Sequence, residues 1–398
     1  MKKPFGPFDY TEYDPETGVI KAFGVPSTFH CNVFNYFFRL GVVNLLGERG
    51  RDLVYESSEI AHYRLFKSTG LKGQELLDFG KEYFKSRGLG VLSFKSKNEI
   101  ILYNSTHGHT SIIIEKRHSE KPSCDVERGF LSGLLHAALD VPLGTLQVEE
   151  YVCIAMGNPV CKMEVKVINK PKRFEEPNYT DEIFIRLDGK IQKEKIEKIK
   201  QIMPVPDESG VLAIPSRFAD IRKVWVTLLP TEYYSRVNLK MFELLDEEKA
   251  RYYTTLAGFN CVSFTYISLY HTPFGEIVCG NLGEKDEMEA LRCFIELSDY
   301  LGFGRVKTSF EKVKITLDIY NFYDNNYALA LKSKPRSYFA AGAMLASKFA
   351  ILDLKAYKED FKMSALGIFN KFDNIYYNAD WKTEFDENKS HQRVIINV

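Results

Sequence analysis

An ordered internal repeat constrains the possible folds of this chain more than any other feature of its sequence. Gly88-Leu89-Gly90 has a counterpart in Gly302-Phe303-Gly304, and Gly133 has a counterpart in Gly342. Both counterparts lie about 200 residues further along the chain, as a tandem duplication with insertions in its loops would place them. Each Gly-x-Gly follows an amphipathic helix pattern. The repeat therefore predicts two related units in tandem.

Each unit is predicted to have an α+β fold, with helices, a small antiparallel sheet and a further helix packed on it. The glycine pairs precede strand-like alternating runs at Glu99–Tyr103 and Ser111–Glu115, and at Lys314–Ile319 and Tyr327–Leu331. The later glycines of the repeat fall inside helix patterns, where glycine costs about 1 kcal/mol relative to alanine. We expect that cost to be offset by close packing against the sheet, or alternatively against a ligand.

A polar segment separates the two predicted units. Lys170–Pro177 is charged and bracketed by prolines, which is typical of a linker. Isoleucines at helical spacing follow it and predict an amphipathic helix that ends at Pro204. We therefore expect a first domain at residues 1–168, a linker and helix at residues 169–209, and a second domain without metal ligands at residues 210–398.

Composition excludes several classes of protein. The 398 residues carry 53 basic and 53 acidic side chains, so the net basic charge of a general nucleic-acid coat is missing. The longest apolar stretch, Tyr338–Leu352, is interrupted by Ser347 and Lys348 and is shorter than the roughly 20 residues that span a bilayer. The first residues lack the apolar segment of about 7–15 residues that a secretory signal has, so no such signal is expected. We expect a cytoplasmic protein with no membrane span.

Three of the seven cysteines, Cys124, Cys153 and Cys161, lie close together in the sequence beside Glu150. Gly157-Asn158-Pro159 predicts a turn that sets Cys153 opposite Cys161, with Cβ atoms about 4.5–5.5 Å apart. Glu150 shares their side if the strand is bulged. Cysteine and glutamate are both zinc ligands. A Cys153–Cys161 disulfide or three ordinary core thiols are the alternatives.

The run from Cys124 through Gly129-Phe130-Leu131-Ser132-Gly133 to Glu150-Tyr151-Val152-Cys153 and Cys161 resembles the C-terminal part of the 4-vinyl-reductase domain family. The resemblance spans about Val19 to Val167. It implies a zinc ion held by three cysteines and one glutamate beside an aromatic-lined pocket, as in the sensor members of the family. These ligands would be Cys124, Glu150, Cys153 and Cys161, with Glu149 as a substitute for Glu150.

A zinc ion with four protein ligands has no open position, which is the structural and not the catalytic arrangement. We therefore expect a non-enzymatic binding or sensing protein for a hydrophobic or aromatic small molecule, which acts through a protein partner, a homodimer or the second unit. Tyr83, Tyr103 and Phe130 are the candidate pocket residues. The alternatives are a reductase-like enzyme acting on a tetrapyrrole or another unsaturated ligand, and a structural assembly subunit. His107 and His109 are expected in an exposed hairpin turn.

Overall fold

The computed structural model describes residues 6–188, 191–216, 223–281, 284–311, 314–349 and 365–397. The first half begins with three strands and three helices: β1 (Thr11–Asp14), β2 (Val19–Ala22), β3 (Val25–Cys31), α1 (Asn32–Leu46), α2 (Glu48–Ser68) and α3 (Gly73–Ser86). Two hairpins and two helices complete it: β4 (Val91–Phe94), β5 (Glu99–Tyr103), α4 (Thr106–Glu115), α5 (Asp125–Leu139), β6 (Leu146–Val152) and β7 (Cys161–Val167).

The rest of the chain follows a connecting helix and has a similar but longer succession of elements. It starts with α6 (Lys193–Ile202), β8 (Ala213–Pro215), β9 (Lys223–Pro230), α7 (Thr231–Leu244), α8 (Glu247–Cys261), a π-helix (Val262–Tyr266), α9 (Ile267–Tyr270) and α10 (Pro273–Cys279). It continues with α11 (Glu287–Glu296), β10 (Arg305–Glu311), β11 (Lys314–Tyr320), α12 (Tyr323–Ala330), α13 (Phe339–Lys348), α14 (Ala365–Asn378), β12 (Trp381–Phe385) and β13 (His391–Asn397).

Two four-stranded antiparallel sheets have the same strand order. The first is β4-β5-β7-β6 and the second is β10-β11-β13-β12. In each, helices connect a first hairpin to a second one: α4 and α5 in the first sheet, and α12, α13 and α14 in the second. We call the elements from β3 to β7 the first unit and those from β9 to β13 the second unit. The α+β class predicted from the repeat is confirmed.

Two of the predicted strands are wrong. Ser111–Glu115 lies in α4 and Tyr327–Leu331 falls mostly in α12. In α4 the Ser105 hydroxyl accepts a hydrogen bond from the Gly108 amide at 3.0 Å and so caps the first turn. The sheet position beside β5 belongs instead to β7, where Glu99 pairs with Glu164. The isoleucine run of α4 resembles a strand only in its local composition.

The two units are joined through a third sheet, of order β1-β2-β3-β9-β8. Its central pair is β3 and β9, so the strand that opens the first unit pairs with the strand that opens the second. The Gly90 amide donates to the Gly210 carbonyl at 3.1 Å, just before β8. An added Cβ on Gly18, just before β2, would lie 2.3 Å from the Gly304 carbonyl oxygen. Each Gly-x-Gly therefore touches the segment that leads into the other unit.

The glycines inside α5 and α13 mark close helix–helix contacts. A Cβ on Gly133 would lie 2.5 Å from the Glu59 carbonyl oxygen in α2, and one on Gly342 would lie 1.8 Å from the Thr255 carbonyl oxygen in α8. The expected packing of these glycines against the sheet is therefore wrong, because their neighbours are helix backbones. These helices are buried within the protein, and among the described residues no helix is long and apolar enough to cross a membrane.

The connecting helix α6 packs on the second unit. Ile196 and Ile199 are buried, as the isoleucine spacing predicts. The Lys195 ammonium donates to the Val278 carbonyl in α10 at 2.8 Å. The helix begins two residues after Ile191, the first residue of the predicted pattern. The segment after the linker is therefore part of the packed structure.

Candidate metal centre and apolar cavity

Three elements of the first unit bring the cysteine cluster together. Cys124 caps the start of α5, Cys153 follows β6 and Cys161 opens β7. A short 3₁₀ turn at Ile154–Met156 connects the last two, and Gly157 closes it with φ of 90°, which favours glycine. The hairpin turn predicted from Gly157-Asn158-Pro159 is present. It places both hairpin cysteines beside the N-terminus of α5.

A β-bulge turns Glu150 toward the cysteines. Glu150 pairs with Met163 in β7, but the next pair is Val152 with Lys162, so the register shifts between them. The Glu150 Oε2 atom then accepts a hydrogen bond from the Cys124 amide at 3.1 Å. Glu149 contacts the Lys166 ammonium on the solvent-facing side. Glu149 therefore does not take the place of Glu150 in the cluster.

The sulfur atoms lie at the separations expected around a tetrahedral ion. Sγ of Cys124 is 3.7 Å from that of Cys153 and 3.6 Å from that of Cys161, and the last two are 3.9 Å apart. A tetrahedron with Zn–S bonds of about 2.3 Å has edges of about 3.8 Å. A disulfide requires about 2.05 Å, so the disulfide alternative is wrong and the thiols are free. With Glu150, all four candidate ligand atoms lie within 4.8 Å of one another.

The cluster contains a buried oxygen atom that a bound cation would satisfy. Burial raises the pKa of the Cys124 thiol and of the Glu150 carboxyl well above their usual values. The Glu150 Oε1 atom is shielded from solvent and has no hydrogen-bond partner. An unpaired buried oxygen of this kind is costly, and a metal ion would satisfy it. Thiolate-rich sites select zinc over magnesium and calcium, which prefer oxygen ligands.

A buried ionic network surrounds the cluster, and the sequence reading missed it. Asp125, the residue after Cys124, is fully buried and contacts three guanidinium groups, those of Arg39, Arg51 and Arg128. Arg39, Arg51 and Arg128 together hold the pKa of the Asp125 carboxyl below its usual value against the effect of burial. The network fixes the start of α5 against α1 and α2. Its signal in the sequence is an acidic residue at the first position of a helix.

Another chain of polar contacts leads from the cluster to His107. The Ser105 hydroxyl lies 3.1 Å from Sγ of Cys124 and donates to Glu127 Oε1 at 2.9 Å. Nδ1 of His107 lies 2.8 Å from the same carboxylate oxygen. The predicted exposed hairpin turn is wrong, because His107 is buried in α4 and His109 lies in the same helix. The start of helix α4 therefore contacts the cluster through Ser105 without supplying a ligand atom.

The predicted pocket residues do not surround a common space. Tyr83 and Phe130 are fully buried, with ring centroids 6.5 Å apart. Phe130 also packs edge-on against Phe66 and Phe84, so its surroundings are filled. Tyr103 ends β5 and is half-buried. Two of the three residues thus belong to a packed aromatic core of the first unit.

An apolar cavity of about 40 Å³ lies instead in the second unit. The π-helix, α11, α13, β10, β11 and the turns beside them line it. Apart from Ser298 and Ser347, the lining residues carry apolar or aromatic side chains: Val262, Tyr266, Ile295, Phe303, Val306, Leu317, Ile319, Phe322, Phe339, Ala340, Ala343 and Met344. Phe339 corresponds to Phe130 when Gly342 is aligned with Gly133. The repeat in the sequence thus contained two of the lining residues. Phe303 is the middle residue of its second Gly-x-Gly, and Phe339 aligns with Phe130.

The first unit has a large side chain at the position that corresponds to Ala343, which lines the cavity of the second unit. Leu134 corresponds to Ala343 in the same alignment, and its methyl groups pack onto α3, where a Cβ on Gly80 would lie 2.5 Å from them. The alanine at position 343 has no side chain of that length. The leucine of the first unit therefore occupies space that the alanine of the second unit leaves open.

Comparisons with known proteins find partial likenesses in solved structures. No protein-family model and no curated protein matches the chain. A vinyl-4-reductase family protein from Methanocaldococcus jannaschii is 25% identical, with a TM-score of 0.23, and the match covers 29% of this chain and 68% of that one. The phenol-responsive sensory domain of the transcription activator PoxR, solved with phenol, is 17% identical, with a TM-score of 0.34 over 41% of this chain and 87% of that one. Because both TM-scores are below 0.5, function has to be argued from the site itself.

Proposed function

We propose that this protein binds a small apolar or aromatic molecule in the cavity of the second unit, and that a structural zinc ion stabilises the first unit. The apolar lining of the cavity is the observation that carries this proposal. Apolar cavities of suitable size stay dry and bind hydrocarbons such as benzene. The zinc ion would have a fixed, closed environment in the other unit and would not touch the bound molecule.

The cavity is suited to binding and has few polar groups beyond two serine hydroxyls and the Tyr266 hydroxyl. Its two serine hydroxyls donate to carbonyls of their own helical turns, Ser298 to Ile295 and Ser347 to Ala343, both at 2.8 Å. Neither hydroxyl is left to activate a substrate. The lining residues include no carboxylate, histidine, cysteine or lysine. We therefore infer a binding protein that acts without turnover.

The lining has to move to admit an aromatic ring. A cavity of about 150 Å³ is known to hold benzene, whereas this one measures about 40 Å³. Val262 and Tyr266 of the π-helix form part of its wall. Short π-helical segments often occur at functional sites, and their hydrogen bonding can return to the α-helical pattern. We infer that this segment adjusts when a molecule enters.

In the first unit, Cys124, Glu150, Cys153 and Cys161 would hold the zinc ion. When bound, the ion supplies a rigid junction that links the β6–β7 hairpin to the start of α5, with no ligand position left for water. The protein contributes the bulge that orients Glu150 and the amide of Ile154, which donates to Sγ of Cys161 at 3.3 Å. Such contacts outside the ligand set tune affinity for the metal.

Elemental analysis with native mass spectrometry tests the zinc site. We expect one zinc ion per chain, and loss of that zinc in Cys153→Ser. Cys293→Ser is the matched control, because this cysteine lies in α11 of the second unit, outside the cluster. Zinc retained in Cys153→Ser, or absent from the unmodified protein, would contradict the proposed site.

Benzene tests the cavity. We expect it to raise the midpoint of thermal unfolding of the unmodified protein, because a ligand that binds only the folded state stabilises it. Ala343→Leu copies Leu134 of the first unit and should abolish the effect by filling the cavity. Ser347→Ala keeps the space apolar and should retain the effect. An equal benzene response in Ala343→Leu and the unmodified protein would refute this location.

A further inference from the structure

Two cysteines outside the metal cluster meet between α10 and α11. The Cys279 thiol donates to the carbonyl oxygen of Cys293 at 3.3 Å. The Cys293 thiol in turn lies 3.7 Å from the carbonyl oxygen of Val278, the residue before Cys279. Each sulfur therefore sits against the backbone that carries the other. Cys279 is 3% exposed, whereas Cys293 is half-buried.

The surroundings of the pair make Cys293 the more acidic of the two thiols. Interaction with the Cys279 side chain lowers the pKa of Cys293, with Lys195 and Lys285 acting in the same direction. Burial and Glu296 oppose them. The pKa of Cys279 is raised, first by the same interaction and then by burial. A more acidic, more accessible thiol beside a buried one is the arrangement found in reactive dithiol pairs.

We propose that Cys279 and Cys293 form a redox-active pair that closes to a disulfide when a peroxide oxidises it. The Cys293 thiolate attacks one peroxide oxygen, the O–O bond breaks, and Cys293 becomes a sulfenic acid while hydroxide leaves and is protonated to water. Cys279 then attacks the Cys293 sulfur. The S–S bond forms, the S–O bond breaks, and a second water carries away the thiol proton. The two thiols supply the two electrons that reduce the peroxide.

Closure of this pair would act beside the apolar cavity. Ile295, two residues after Cys293, lines the cavity, and Phe294 packs against Tyr266 of the π-helix with ring centroids 5.9 Å apart. A covalent bond from α11 to α10 would restrict the movement that we infer for ligand entry. This consequence rests on the proposed function, whereas formation of the disulfide does not.

Peptide mapping of the full, zinc-loaded chain tests the pair. Hydrogen peroxide is added, free thiols are blocked with iodoacetamide, and the protein is cut with trypsin and a glutamyl endopeptidase. Cleavage after Glu276, Glu284, Arg292 and Glu296 leaves each cysteine in its own peptide, residues 277–284 and 293–296. We expect these peptides to be linked, with a mass lower by two hydrogens, and to separate on treatment with dithiothreitol.

Two variants separate the steps. Cys279→Ser should leave Cys293 as a sulfenic acid that dimedone labels, and Cys293→Ser should show neither the label at this site nor the link. The proposal would be overturned if both cysteines still reacted with iodoacetamide after treatment with a peroxide concentration that oxidises free cysteine in solution. A link from Cys279 or Cys293 to any other cysteine would also overturn it. Zinc content and benzene stabilisation, measured on the same samples, report separately on the metal site and the cavity.

Discussion

Substitution of Gly342 by alanine tests how tightly the second unit is packed. The added Cβ would lie 1.8 Å from the Thr255 carbonyl oxygen, and such contacts essentially never fall below 3.0 Å, so α8 and α13 would have to separate by about 1.2 Å. The facing Gly258 has the same relation to the Phe339 carbonyl oxygen. Both obstacles are backbone atoms, which cannot rotate out of the way. Overpacking costs up to about 3 kcal/mol and alanine regains about 1 kcal/mol of helix propensity, so we expect a net loss of about 2 kcal/mol.

Urea unfolding of the zinc-loaded protein measures this loss, with Gly41→Ala as the control. Gly41 also lies in a helix, but the first atom that its Cβ would meet is the edge of the Tyr253 ring, at 3.0 Å. A side chain can yield where a backbone carbonyl cannot. The control should therefore be as stable as the unmodified protein, or more stable by up to about 1 kcal/mol. The reasoning fails if Gly342→Ala is as stable as Gly41→Ala.

Two further substitutions probe buried charge in the first unit. Burial raises the pKa of Glu59 to about 7. Between about pH 4.5 and about pH 7 the folded state therefore keeps a proton that the unfolded state loses. The free energy of unfolding should fall by about 3 kcal/mol as the pH rises across this range. Glu59→Gln keeps an acceptor for the Ser132 hydroxyl and should lack this decline when urea unfolding is measured at about pH 5 and about pH 8. The same decline in the variant and the unmodified protein would contradict the role given to Glu59. Asp125→Asn leaves the guanidinium groups of Arg39 and Arg51 without their carboxylate. In the same assay it should lower the free energy of unfolding by about 3–5 kcal/mol. A decrease under about 1 kcal/mol would show that the network contributes little to stability.

The geometry of the cysteine cluster was accessible from the sequence because local rules determine it. A Gly-Asn-Pro turn sets the hairpin, and the spacing of Glu150 from Cys153 required the bulge that the structure contains. Turn residues and strand alternation act over a few positions. The approach of Cys124 is different, since it depends on how α5 packs; its nearness in the sequence and the family resemblance pointed to it, and no turn geometry did.

Features that depend on distant packing were missed or misplaced. Helix α4 contains three consecutive isoleucines that favour a strand, yet the Ser105 cap and the burial of His107 make this segment helical. The cavity was expected beside Phe130, but Leu134 fills that region, and the space lies beside Ala343 in the second unit. A sequence pattern identifies apolar faces without showing which of them is completely filled.

The pairing of β3 with β9 has a consequence for how the chain is made. Synthesis is directional, and about 200 residues separate these strands, so the open edge of β3 leaves the ribosome long before its partner exists. Meanwhile Gly90 lacks the Gly210 carbonyl that its amide meets in the finished protein. An exposed strand edge is a site for wrong pairing. The nascent first unit therefore has to remain incomplete, or be shielded by a chaperone, until translation reaches the second.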